Sequence, residues 1–249
     1  MAKYPEHRSK NLEHDQPEKL VLFDIDGTLL HGGTSARESL AVALSEVAGK
    51  QIALQTEDVA GNTDLGIFRR ALEREGFESG EIDHLLPPTI ERYLEVVAEA
   101  YPARNDQYLY PGIKELLARL HDRDDIRLGL LTGNLMEGAR IKLEPFDIWH
   151  HFAVGAFGSD AANRNDLPGI ALRKARDELG EHYTADQTLI VGDTPRDALC
   201  AEVNDIGALI ICRRPEWLEE IQQHHPYLIV NSTENVEQMY KTITSFTDE

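Results

Sequence analysis

Four polar clusters in this chain could do chemistry together: Asp24-Ile25-Asp26-Gly27-Thr28, Thr132-Gly133-Asn134, Arg164, and Asp193-Thr194-Pro195-Arg196-Asp197. The first is the most demanding. Its two acids follow an apolar run, Leu20 to Phe23, that shows no alternation. Such a run suits a strand buried on both faces of a parallel sheet. Carboxylates held close repel, and taking each out of water is costly. A hard divalent cation such as Mg²⁺ relieves both problems, because it takes oxygen ligands. One carboxylate could then attack an electrophile while the other handles a proton. The plain alternative is a strand ending in an acidic turn, bent at Gly27.

Elements that would position these clusters are legible along the chain. After the first strand, His31-Gly32-Gly33 looks like a flexible joint. Apolar residues then recur at helical spacing over Ser35 to Val47 and Leu65 to Glu75, the latter stopping at Gly76. A further helical stretch covers Glu81 to Leu86 and Thr89 to Tyr101, and Pro87-Pro88 is expected to interrupt it. Beyond Pro111-Gly112, strands and helices alternate. Strands are expected at Ile126 to Leu131, Phe152 to Phe157, Thr188 to Val191, Ala208 to Cys212 and Tyr227 to Val230. Helices are expected at Ile113 to His121, Met136 to Leu143, Leu167 to Leu179, Ala198 to Asn204 and Trp217 to His224. The pattern predicts an α/β fold, a Rossmann-like open parallel sheet with helices on both faces, carrying an inserted helical unit. In such sheets ligands sit beyond the carboxyl ends of the strands. The clusters at residues 24–28, 132–134 and 193–197 all follow predicted strands, and Arg164 follows another, so the four could converge.

The totals narrow the function classes. The chain has 249 residues, with 25 Lys plus Arg against 44 Asp plus Glu and a net charge of −19. That balance argues against sequence-independent binding to nucleic acid or to anionic membranes. A small anionic substrate stays admissible, because a bound cation and a basic residue reverse the local field. Two cysteines, Cys200 and Cys212, make no disulfide framework, and a reducing, cytoplasmic setting is the simple expectation. No apolar stretch is long enough for a transmembrane helix, and the N-terminus shows no signal-peptide h-region. Residues 1–16 read as a polar, mobile tail. The charge favours solubility and leaves monomer and homodimer both open.

Taken in order, the clusters resemble the motifs of the haloacid dehalogenase superfamily of phosphohydrolases. Asp24-Ile25-Asp26-Gly27-Thr28 is similar to the first motif, and Leu131-Thr132-Gly133-Asn134 to the second. Arg164 is similar to the basic third motif, where lysine is commoner, and Gly192-Asp193-Thr194-Pro195-Arg196-Asp197 to the fourth. The helical insertion resembles the family's type 1 cap. The resemblance implies a core of residues 17–33 and 110–249, a cap at 34–109, and Asp24's strand in the middle of the sheet.

It also implies roles. Asp24 would be the nucleophile that forms an aspartyl-phosphate, and Asp26 the acid that protonates the leaving oxygen and then activates water. Asp24, the main-chain carbonyl of Asp26 and Asp193 would hold Mg²⁺, with Asp197 in or near its shell. Thr132 and the N–H groups of Gly133 and Asn134 would cradle the phosphoryl oxygens. Arg164 would neutralise charge on the transferring group. Thr63, in the turn Gly61-Asn62-Thr63-Asp64, could reach over the site from the cap, the alternative being a plain helix N-cap. The implied activity is a Mg²⁺-dependent phosphatase for a small phosphorylated metabolite, of the phosphoglycolate phosphatase-like kind. A phosphomutase of the β-phosphoglucomutase type shares the same core. A receiver-like phosphate-binding protein is disfavoured by the chain length and by the insertion. His31, His150-His151 and His224-His225 read as surface residues.

Overall fold

The computed structural model describes residues 16–246. Most of the expected N-terminal tail lies outside them, and Gln16 is hydrogen-bonded in both directions to the main chain of His182. In chain order, β1 (Lys19–Phe23) and the short β2 (Leu30–His31) lead into four helices: α1 (Ser35–Ala48), α2 (Thr56–Val59), α3 (Asp64–Arg74) and α4 (Ser79–Ala100). The chain returns through β3 (Tyr108–Leu109), α5 (Ile113–His121), β4 (Ile126–Leu131), α6 (Met136–Leu143) and β5 (Val154–Ala156). There follow α7 (Leu167–Lys174), β6 (Thr188–Gly192), α8 (Pro195–Glu202), β7 (Gly207–Ile211), α9 (Leu218–Gln223), β8 (Leu228–Val230) and α10 (Val236–Ser245).

Six strands form one parallel sheet in the order β5-β4-β1-β6-β7-β8. The strand before Asp24 is central, as expected. Its lack of alternation has a direct cause. Val21 and Phe23 face one apolar layer, with Leu116 of α5 and Ile243 of α10. Leu20 and Leu22 face the other, with Ala171 of α7 and Ala198 of α8. Burying each such side chain stabilises the fold by roughly 1.5–3 kcal/mol. β1 is thereby fixed firmly enough to hold charged groups at its end.

The helices of the insertion have their own apolar cluster, including Leu44, Phe68, Tyr93 and Val97, which also takes in Leu135 from the loop after β4. Pro87 and Pro88 do not interrupt α4, which runs through both for 22 residues. Their missing N–H groups would have served the carbonyls of Asp83 and His84, and both of those residues are exposed, so water can serve instead. Ile82 before the prolines and Tyr93 and Val97 after them bury one face of the helix and hold it together.

Both connections to the insertion are tied to each other. β2 and β3 pair antiparallel, Leu30 opposite Leu109 and His31 opposite Tyr108. The His31 and Tyr108 rings stack at 5.1 Å, and the Thr34 N–H donates to Asp106 at 3.1 Å. Among the described residues no helix is long and apolar enough to cross a membrane.

Candidate active site

Asp24, Thr132 and Asp193 lie at the carboxyl ends of β1, β4 and β6, three neighbouring strands. Their side chains line a cavity of about 390 Å³ between the sheet edge and the insertion. The structure also brings Asp26, Gly133, Asn134 and Arg164 to this cavity.

One arginine holds the acidic centre together. Arg164 Nη2 donates to Asp197 Oδ1 at 2.5 Å, lies 3.4 Å from Asp24 Oδ2, and reaches the Leu131 carbonyl at 3.3 Å. Arg164 is buried, as are Asp24 and Asp197. Burial works against its charge, yet Asp197 and Asp24 more than compensate and hold the guanidinium firmly ionised. The other oxygen of Asp197 accepts from Thr194 N at 2.9 Å and Thr194 Oγ1 at 2.7 Å, which caps α8. Pro195 at the first helical position suits that start and explains why the helix begins before Ala198. Both oxygens of Asp197 are therefore engaged within the protein.

The remaining acids are crowded. Asp24 is pushed up to about 6 by burial and by Asp197 and Asp26, against the pull of Arg164. Asp193 is pushed well above the usual carboxylate range by burial, then by Asp197 and Asp24. Oxygens of Asp24, Asp193 and Asp197 all lie within 4.8 Å of one another. Such an all-oxygen, over-acidic cluster fits a hard cation such as Mg²⁺. Gly27, at φ +87°, supports Asp193 closely: a Cβ there would overlap its carboxylate.

Asp26 points its side chain the other way. Its Oδ2 accepts from Asn134 Nδ2 at 2.8 Å and from Lys142 Nζ at 2.6 Å. Asn134 also donates to Thr132 Oγ1 at 2.9 Å, and its own Oδ1 accepts from Lys142 at 2.6 Å. The Asn134 side chain is thus a brace between Thr132, Asp26 and Lys142. The neighbouring Gly133 N–H has no acceptor among the described residues and stands at the cavity. A Cβ on Gly133 would overlap the Asn62 carbonyl, which is main chain and cannot give way. Gly133→Ala is expected to push the insertion off the site and lower kcat/KM on the order of 10²-fold, measured by steady-state kinetics.

The insertion contributes differently from expectation. Thr63 caps α3, accepting from Gly66 N at 3.0 Å and donating to the Ala162 carbonyl at 2.6 Å. Its hydroxyl is satisfied on both counts, and its neighbours Asn62 and Asp64 line the cavity instead. Asp64 is buried and accepts from Leu135 N at 2.8 Å. Burial pushes it up to about 6, with Lys142 and the Leu135 N–H opposing.

Asp64 belongs to the turn expected to reach over the site, whereas two further contributors, Lys142 and Arg213, have no place in the sequence reading. Arg213 donates to the Gly27 carbonyl at 3.1 Å and lies over the Tyr110 ring at 3.6 Å. A signal existed for Lys142. Gly138, Ala139, Lys142 and Leu143 form the buried face of α6, so the lysine stands where an apolar residue belongs.

Fold and site together define a parallel α/β enzyme with an acidic centre at the carboxyl edge of the sheet, under a helical insertion. Residues 18–227 match the model of the haloacid dehalogenase-like hydrolases, and the chain belongs to that family. It is 26% identical over 220 residues to a phosphoglycolate phosphatase of Pseudomonas fluorescens, covering 87% of this chain and 77% of that one. A phosphoglycolate phosphatase of Rhodospirillum rubrum is 30% identical over 197 residues, covering 78% and 79%. A crystal structure from Clostridium acetobutylicum, described as a predicted phosphatase, superposes with a TM-score of 0.66 at 21% identity, covering 92% of this chain and all of that one. Other similar folds carry the name β-phosphoglucomutase.

Proposed function

We propose that this chain hydrolyses a small phosphorylated metabolite through an aspartyl-phosphate on Asp24. The observation that carries the proposal is the division of labour between the two acids of the first motif. Asp24 is buried against Arg164, whereas Asp26 is tied back by Asn134 and Lys142 with one oxygen left for exchange. The relatives named phosphoglycolate phosphatase and the cavity of about 390 Å³ support a small phosphate monoester.

An oxygen of Asp24 attacks phosphorus as the bond to the leaving oxygen breaks. Asp26 gives that oxygen its proton. Water then attacks phosphorus, surrenders a proton to Asp26, and releases phosphate and the Asp24 carboxylate. Arg164 stays beside Asp24 throughout and balances the charge that gathers there. The Gly133 N–H donates to a phosphoryl oxygen, and the buried Thr132 holds the Asn134 side chain beside it. Mg²⁺, held by Asp24, Asp193 and the Asp26 carbonyl, would add positive charge at the phosphoryl group. The helices at residues 34–109 act as a cap that keeps water out of the first step.

Phosphate release from a panel including phosphoglycolate and sugar phosphates tests this. Release with Mg²⁺, falling by about 10²-fold or more in EDTA and restored by added Mg²⁺, is expected. No release from any compound overturns the proposal, and phosphoryl transfer between sugar hydroxyls without release would make the chain a mutase.

A further inference from the structure

We infer that Lys142 is a positioning residue for Asp26: it fixes which carboxylate oxygen exchanges protons with the substrate. This rests on the phosphatase function proposed above.

The two oxygens of Asp26 have different surroundings. Oδ2 takes two donors, Lys142 Nζ at 2.6 Å and Asn134 Nδ2 at 2.8 Å. Oδ1 faces Gly32, where a Cβ would overlap it. An oxygen already accepting two strong hydrogen bonds is a poor seat for a proton. The transferable proton therefore belongs on Oδ1, which lies against Gly32 in the first connection to the insertion, both residues lining the cavity. Glycine at residue 32 keeps that oxygen uncovered.

Lys142 is placed for this task at some cost. Its side chain is 4% exposed, while that of Asp26 is 41% exposed. Burying an ammonium is unfavourable unless its donors are matched. Asn134 Oδ1 accepts at 2.6 Å, and the buried Asp64 supplies a second negative charge nearby. A half-exposed carboxylate on a turn would otherwise sample several rotamers. The clamp of Lys142 and Asn134 selects one. The same lysine lies within electrostatic reach of Asp64, the first residue of α3, so the charge around the clamp depends on the insertion being seated on the core.

The chemistry it serves is balanced. In the first step the P–O bond to the leaving group breaks and that oxygen takes the proton from Asp26 Oδ1. In the second, water loses a proton to Oδ1 as its oxygen bonds to phosphorus and the Asp24–phosphorus bond breaks. A loose Asp26 slows both steps for alkyl esters. For an aryl ester with a good leaving group it slows only the second.

The test compares wild type with Lys142→Met, which keeps the side-chain stem. Both are assayed on the best alkyl phosphate of the panel and on p-nitrophenyl phosphate, with stopped-flow detection. The alkyl ester is expected to lose about 10²-fold in kcat. The aryl ester should show a burst of one p-nitrophenolate per enzyme followed by slow turnover, as the phosphoenzyme accumulates. In an Asp26→Asn background, adding Lys142→Met should change the residual rate by no more than about twofold. Equal losses on both esters without a burst, or full additivity with Asp26→Asn, would mark Lys142 as structural only and overturn the inference. Lys142→Met that misfolds is replaced by Lys142→Arg, for which retention of the alkyl rate supports the clamp and a burst with near-normal folding also supports it, whereas a loss equal on both esters refutes it. A wild type that releases no phosphate defeats the phosphatase function itself and this inference with it. An active wild type with an unaltered Lys142→Met defeats only the inference.

Discussion

Asp24→Asn should abolish turnover, by on the order of 10⁴-fold or more, while leaving the protein folded. An amide nitrogen or carbonyl oxygen cannot replace the carboxylate as a nucleophile. The variant should also be more stable than wild type in EDTA at pH 8. Asp24 sits in the fold at about 6 against an ordinary 3.8, because burial and then Asp197 and Asp26 oppose its charge more than Arg164 favours it. A carboxylate raised in this way supports the fold fully below its unfolded value, and that support is lost as pH rises through the folded value. At pH 8 the ionised group therefore costs up to roughly 3 kcal/mol, which the amide avoids. Below about pH 4 the two proteins should be alike. Thermal melts at both pH values, alongside phosphate release, check this. A variant less stable at pH 8 would mean that Asp24 is well compensated without a cation.

Arg164→Met should do the reverse to stability. Removing the guanidinium leaves Asp24 and Asp197 buried face to face, and breaking a buried pair costs about 3–5 kcal/mol. Activity should fall on the order of 10²–10³-fold, the scale for losing one preorganised charge at a reacting group. Arg164→Lys is expected to stay within about tenfold of wild type. All three contacts of Arg164 run through Nη2, and its Nε is buried without a partner. A single terminal nitrogen does the work here, which an ammonium can supply. The fork geometry that usually makes Arg and Lys non-equivalent is not used. Urea unfolding in EDTA and steady-state kinetics on all three proteins separate the two effects. Equal loss in the lysine and methionine variants would show that the planar group matters after all.

The core of the fold was legible because its signals are long. Leu20 to Phe23 and Ile126 to Leu131 are apolar runs flanked by polar turns, and the helices between the later strands stop at glycine or proline. β2 and β3 were invisible because two residues each carry no periodicity. The continuity of α4 was hidden by Pro87-Pro88, since local chemistry argues for a break and only burial on both sides restores the helix. At the site, Asp24, Asp193 and Arg164 stood out because charge at a strand end needs a reason. Thr63 stood out as well, but a hydroxyl before a helix is equally suited to capping, and capping won. Lys142 is one charged residue on a helix, and Asp64 reads only as part of a polar turn before one. Their meaning lies in the contacts they make across the cavity, which no spacing encodes.

The pairing of β2 with β3 has a mechanical consequence. Two separate connections would let the insertion swing and slide with several degrees of freedom. Laced together by the ladder, the His31–Tyr108 stack and the Asp106–Thr34 bond, they act as one ribbon, stiff to stretching and compliant mainly to twist. That ribbon is a single axle about which the insertion could turn, and it runs beside Gly32. A rotation of the insertion about it would shift the wall next to Asp26, so access to the cavity and the setting of that carboxylate would change together.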